Sequence, residues 1–210
     1  MTPTILAIVG KPLAGKDTQA DLLVAAHPEA VKISTGHILR AVREEGETHR
    51  FWPIVGHLMP MMEAGLKLPD PEVIEMLGRA ISEQVAEGKT LLVIAGSPRS
   101  IEQLESFEGM ANAIDGKLVV VHVNATDAET YRRSASRNEG RVDDTPEVHA
   151  VRLKEYETHV VPMVEKLRAD HNIVDIDGMK SIESVFRDME HVVRTRILDP
   201  EVALPRMARR

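Results

Sequence analysis

The chain has 210 residues, 43% hydrophobic but only 3% aromatic, and a formal net charge of −7. That length suits one α/β domain whose core must be built from Val, Ile, Leu, Met and Ala. The negative balance argues against a nucleic-acid partner, which selects a basic footprint, and the absence of Cys excludes disulfides, thiolate metal sites and thiol catalysis.

Thr4 to Val9 reads as a short buried strand ended by Gly10. A Gly-containing loop and a helix over Lys16 to Ala26 follow. Val31 to Ile33 suggests a second strand, Thr90 to Ala95 and Lys117 to Val123 two more, and Asn172 to Ile176 a fifth. Helical patterns lie between, over Pro71 to Glu87, Ile101 to Asn112, Asp127 to Asn138, Thr145 to Ala169 and Ser181 to Thr195. Strands alternating with helices imply a parallel sheet covered on both faces, in a single domain spanning residues 1–198. Two stretches interrupt the alternation: 34–70, broken by Gly and Pro, and 133–144, dense in Arg and Asp. Both are expected to leave the carboxyl edge of the sheet, where such folds bind ligands. The segment 199–210, rich in Pro and Arg, is expected to be loosely attached.

Gly10-Lys11-Pro12-Leu13-Ala14-Gly15-Lys16-Asp17-Thr18 closes the first strand and opens a helix. This is the context of a phosphate-binding loop. Backbone N–H groups wrap the phosphates, the helix N-terminus adds positive potential and Lys16 reaches the outer phosphates. The strict pattern has Ser or Thr directly after the Lys; here Asp17 intervenes and Thr18 comes next. No apolar run reaches the ~18 residues of a membrane span, and no leader pattern is visible. A cytoplasmic protein without membrane partners is therefore expected.

Further segments carry a resemblance. Gly15-Lys16-Asp17-Thr18-Gln19, Ile33-Ser34-Thr35-Gly36-His37-Ile38-Leu39-Arg40, Met62-Glu63-Ala64-Gly65, Gly96-Ser97-Pro98-Arg99 and Gly140-Arg141-Val142-Asp143-Asp144 occur in this order. Together they resemble the adenylate kinase family of nucleoside monophosphate kinases over about residues 4 to 195, in its short-lid form. The resemblance implies a five-stranded P-loop sheet of order 2-3-1-4-5 and transfer of the γ-phosphoryl of ATP to a monophosphate, with AMP favoured and Mg²⁺ accompanying ATP. It implies a monomer.

The resemblance also assigns roles. Gly10, Ala14, Gly15, Lys16, Asp17 and Thr18 would hold ATP phosphates. Arg133 would stack on the ATP adenine and Lys180 would lie in the backbone stretch beside it. Thr35, Arg40, Gly96 and Arg99 would hold the acceptor phosphate, where guanidinium donors match its oxygens. Gln103 would read the acceptor base, because a carboxamide both donates and accepts, with Met62, Gly65 and Leu68 lining it. Lys16, Arg99, Arg137, Arg141 and Arg152 would surround the transferring group, which needs charge neutralisation and alignment more than covalent help. Asp143 and Asp144 would latch the lid.

Four positions depart from the family pattern. Ala95 stands where an Asp orients water on Mg²⁺, His37 replaces a second nearby acid, Asp17 replaces a Gly and Leu13 a loop Gly. Asp17 and Thr18 are candidates to complete the metal shell with hard oxygen ligands. The departures keep two alternatives open, a nucleotide-binding protein of kinase shape and a kinase for another nucleoside monophosphate.

Overall fold

The computed structural model describes residues 2–136 and 145–198. Five parallel strands form one sheet: β1 (Thr4–Val9), β2 (Ala30–Ser34), β3 (Leu91–Ala95), β4 (Lys117–Asn124) and β5 (Ile173–Asp177). Their order is β2-β3-β1-β4-β5, as expected. β1 is buried along its whole length and pairs Thr4 with Leu91 on one side and with Lys117 on the other. A strand packed on both faces carries a continuous apolar run rather than an alternating one, which is why TILAIV is legible as the sheet's centre.

The pleat divides those residues between two layers. Ile5, Leu92 and Ile94 face a core with Phe107, Met76 and Leu77. Leu6, Ile8 and Val93 face the opposite core with Leu23 and Met189. A third cluster, Val9, Val120, Met163 and Tyr156, fills the space over β4.

Helix α1 (Lys16–Ala26) follows β1, and α2 (Thr35–Glu45) follows β2. The remainder of the 34–70 stretch consists of short pieces. A 3₁₀ turn at Gly46–Thr48 precedes α3 (Trp52–Val55), and another at Gly56–Leu58 precedes α4 (Met59–Glu63). Pro53 and Pro60 sit in the first turns of α3 and α4, where a missing N–H costs nothing. α5 (Asp70–Ala86), α6 (Ile101–Ala113), α7 (Asp127–Ser136), α8 (Pro146–Glu155), α9 (Val161–Ala169) and α10 (Ile182–Val192) complete the layers.

The uninterrupted helix expected over 145–169 is in fact α8 and α9 joined by a π-helical turn, Tyr156–Val160. Pro162 has no N–H to return to the preceding turn, so the chain widens there instead of continuing as α-helix. Ser34, Ser100, Thr145 and Ser181 cap α2, α6, α8 and α10 by accepting from the third N–H beyond them. Helix α1 begins instead at Gly15, with no side-chain cap.

Candidate active site

The carboxyl ends of β1, β3 and β2 open into one cleft, lined by the phosphate loop, the start of α2, the 65–68 turn, the 95–99 turn and the α8–α9 junction. The loop reaches this place because Gly10 can take φ 148°. A Cβ on Gly10 would stand 2.3 Å from the Val123 carbonyl oxygen, so the loop passes over β4 only without a side chain. The uncapped N-terminus of α1 directs its orphan N–H groups toward the cleft's end of the sheet, an arrangement that favours a bound anion. Leu13, in place of a family Gly, holds φ 62°.

Lys16 donates to the carbonyls of Gly10 at 2.9 Å and Lys11 at 2.6 Å. Burial pulls its ammonium down to about 8, Asp17 opposes this, and Arg99 and Arg152 push the same way as burial. Arg99 is likewise lowered, by burial first and then by Arg152. It folds back on its own turn, Nε donating to the Gly96 carbonyl at 2.6 Å. Lys16 and Arg99 are thus disfavoured as cations in this cleft, the Arg152 charge adding to the effect on both, and an anionic ligand relieves them.

Arg40, Met62, Gly65, Leu68 and Gly96 also line the cleft. Gly65 is held at φ 78°, and a Cβ there would meet the Val148 side chain at 2.9 Å and its carbonyl oxygen at 3.0 Å. This glycine therefore lets α8 lie directly on the 65–68 turn, which brings Arg152 over the acceptor side. Met61 packs against the core as filler, whereas Met62 both packs there and lines the cleft.

Other expected residues are not among those lining the cleft. Gln103 is 1% exposed. Its carboxamide oxygen accepts from the Arg99 N–H at 2.8 Å and its nitrogen donates to Asp70 at 2.7 Å. Asp70 also receives Lys67 at 2.6 Å. Thr35 is buried and shares a hydrogen bond with Ser97 at 2.9 Å, tying α2 to the 97–99 turn. Ala14 is buried in the core over β1 and Thr18 is exposed. Arg133 lies behind the phosphate loop, donating to the carbonyls of Leu13 at 3.1 Å and Gly178 at 2.8 Å, with Glu129 on its Nε at 2.7 Å. Lys180 is paired with Asp188 at 2.8 Å, which leaves its backbone, not its charge, near that turn. Arg137, Arg141, Asp143, Asp144 and residues 199–210 lie outside the described residues.

Asp17 Oδ1 accepts from the Ser34 hydroxyl at 2.8 Å and stands 3.3 Å from the Lys32 ammonium, which also holds Asp21. Although partial burial opposes it, those donors hold the carboxyl below its ordinary value. This oxygen is engaged within the protein, which favours a structural role for Asp17 over a metal ligand. Ala95 is buried and brings no oxygen, Thr18 is off the cleft, and among the described residues no cluster of three or more His, Asp or Glu could hold a metal.

Sequence reasoning did not single out Ser34, Glu155, Tyr156 or His159, all of which line the cleft. A signal existed for Tyr156: it stands four residues after Arg152, on the same helix face. Among the described residues no helix is long and apolar enough to cross a membrane.

Comparison with known proteins places these features in a series. The model of the family described as adenylate kinase matches residues 8–172. The chain is similar to an adenylate kinase of Phenylobacterium zucineum, 33% identical over 86% of this chain and 92% of the relative. It is also similar to one of Nitrobacter hamburgensis, 30% identical over 91% and 93%, and to one of Leptospira biflexa, 31% identical over 86% and 94%.

Proposed function

Because the chain belongs to the adenylate kinase family and transfers the γ-phosphoryl of ATP to AMP, we propose that the cleft between the phosphate loop and the 65–68 turn is where that transfer takes place. The observation that carries this reading is the convergence of Lys16, Arg99 and Arg152 on one cleft, where burial disfavours the charge of Lys16 and of Arg99 and the Arg152 charge adds to the effect on both.

The phosphate loop and Lys16 take the β- and γ-phosphates of ATP; the two loop carbonyls that Lys16 now holds give way to phosphate oxygens. Arg40 and Arg99 hold the acceptor phosphate, and the 65–68 turn lines its base. An oxygen of the AMP phosphate attacks the γ-phosphorus in line, the bond to the β–γ bridging oxygen breaks, and two ADP molecules result. Little covalent help is needed. The residues supply alignment and neutralise charge on the transferring oxygens, with Arg152 joined by Arg137 and Arg141 when ATP is bound. Arg133 and the backbone at Gly178–Lys180 border the ATP base, and Asp143 and Asp144 latch the segment over it.

Mg²⁺ would come with ATP as part of the substrate and offset charge on its phosphates; Ala95 has no side-chain oxygen to offer it, and Asp17 Oδ1 is engaged by Ser34 and Lys32. A monomer acting in the cytoplasm is part of the same proposal. Hydrogen exchange with a bisubstrate analogue, two adenosines joined through phosphates, tests the location. Protection is expected over residues 10–18 and 34–70. Unchanged exchange in both would refute it.

A further inference from the structure

Beneath the cleft runs a chain of polar groups, buried at His122 and Tyr156 and exposed at Asp175 and Arg168, that phosphoryl transfer does not itself call for. His122 on β4 and Asp175 on β5 are register partners, so their side chains emerge side by side. His122 Nδ1 lies 2.7 Å from Asp175 Oδ1, and His122 Nε2 lies 2.9 Å from the Tyr156 hydroxyl. Arg168 on α9 closes the far side, donating to Asp175 from Nε at 2.9 Å and from Nη2 at 2.6 Å. His122 is 3% exposed and Tyr156 7%.

An ionised carboxylate only accepts, so a proton on Nδ1 is donated to Asp175 and Nε2 then accepts from the tyrosine hydroxyl. Arg168 Nη2, 3.1 Å from the same Nδ1, favours the other tautomer, in which Nδ1 accepts and Nε2 donates to Tyr156. In both, Nε2 and the Tyr156 hydroxyl are bonded, and a chain satisfied in this way specifies one arrangement of the groups it joins. Here the last member is a cleft residue. Tyr156 lines the cleft, begins the π-helical turn, and its N–H donates to the Arg152 carbonyl one turn back. A helix that widens at this point has no rigid continuation to hold Arg152. The anchor to β4 replaces it, and β4 is the strand that flanks the phosphate loop's own strand, with His122 opposite Val9.

We infer that His122, held by Asp175 and Arg168, is a positioning residue that pins Tyr156 and thereby sets where Arg152 stands over the phosphate loop. The inference rests on the transfer reading above, in which Arg152 meets the transferring phosphoryl. It concerns placement in the transition state, so it bears on kcat and not on ground-state affinity.

The test compares steady-state ADP formation by wild type, Tyr156→Phe, His122→Asn and Arg152→Ala, with melting temperature measured alongside. Tyr156→Phe keeps the ring's packing and removes only the hydroxyl; His122→Asn retains a donor for Asp175 but cannot reach Tyr156. Each is expected to lower kcat roughly tenfold, as sub-ångström misplacement of a reacting group does, with KM for ATP and AMP within twofold. The double variant Tyr156→Phe/His122→Asn is expected to be no slower than either single one, and Arg152→Ala to cost less in the Tyr156→Phe background than in wild type. An unchanged kcat with a lowered melting temperature would reduce the chain to a structural role and overturn the inference, as would multiplying effects in either double variant. A wild type that forms no ADP would overturn the transfer reading and the relay together, whereas an active wild type matched by Tyr156→Phe overturns the relay alone.

Discussion

The Asp17 carboxylate accepts from the Ser34 hydroxyl at 2.8 Å, and the same oxygen of Ser34 accepts from the His37 N–H at 3.3 Å. The first turn of the phosphate-loop helix is thus bonded to the residue that caps α2, the helix carrying Arg40. Asp17→Ala removes that link and is expected to cost about 1 kcal/mol of stability while leaving the Mg²⁺ concentration for half-maximal activity unchanged. The sign of its pH dependence follows from the lowered carboxyl: the contribution is present above the ordinary Asp range and lost as pH falls through the folded value. Denaturation curves of wild type and variant should therefore converge in acid. A several-fold rise in the Mg²⁺ requirement would return Asp17 to the metal.

Lys16 should write its own titration into the kinetics. With burial holding it at about 8, the free enzyme loses the charge that phosphates need as pH rises past that value. The alkaline limb is expected in kcat/KM for ATP and not in kcat, because bound phosphates raise the ammonium's pKa again. Stability moves the other way. A lysine whose folded value lies below its ordinary 10.5 is a burden while charged, and the burden lifts between those two values as pH rises. Lys16→Met should be inactive, more stable than wild type at neutral pH, and flat across that window. A Lys16→Met variant that melts below wild type at pH 7 would contradict this.

Gln103 spends one lone pair on the Arg99 N–H and one hydrogen on Asp70. That leaves one acceptor site and one donor on the carboxamide, the pair an adenine edge requires, once the acceptor side opens to admit it. Gln103→Ala is expected to raise KM for AMP more than KM for ATP. Equal changes in both would mean that the residue only braces Arg99 and Asp70.

Gly65 is the point where α8 rests on the acceptor turn. Gly65→Ala would put a methyl group within 3.0 Å of Val148 at a φ of 78°, and is expected to destabilise by roughly 1–3 kcal/mol. Because the displaced helix bears Arg152, kcat should fall as well. A variant with wild-type melting temperature and rate would show that α8 is not seated there.

The sheet was legible because its strands are apolar runs ended by glycine or turn residues, the cations Lys16, Arg40 and Arg99 because ordered motifs carry them, and Arg152 through the family resemblance. Other features depend on register and side-chain partners that no linear pattern exhibits. His122 and Asp175 are 53 residues apart and meet only because parallel pairing of β4 with β5 sets them opposite each other. Asp17 is a candidate for Mg²⁺ by its place in the loop, whereas its bonds to Ser34 and Lys32, both from β2, depend on the tertiary fold. Gln103 was identified as a base reader by its place in a motif, but its burial follows from Asp70 closing over it from the start of α5. The break at Tyr156 had a local cause in Pro162, yet a proline deep within a helical pattern marks a disturbance without saying whether it will be a kink, a stop or a widened turn.

Transfer between ATP and AMP is read out by the formation of ADP. Purified protein with ATP and Mg²⁺ is supplied in turn with AMP, GMP, CMP and UMP, and kcat/KM is compared. AMP should give the highest value, two ADP should appear per AMP consumed, and Arg99→Ala should lower kcat by at least a hundredfold, as loss of a charge-neutralising arginine does in phosphoryl transfer. Another monophosphate outpacing AMP, or no ADP with any of them, would contradict the account.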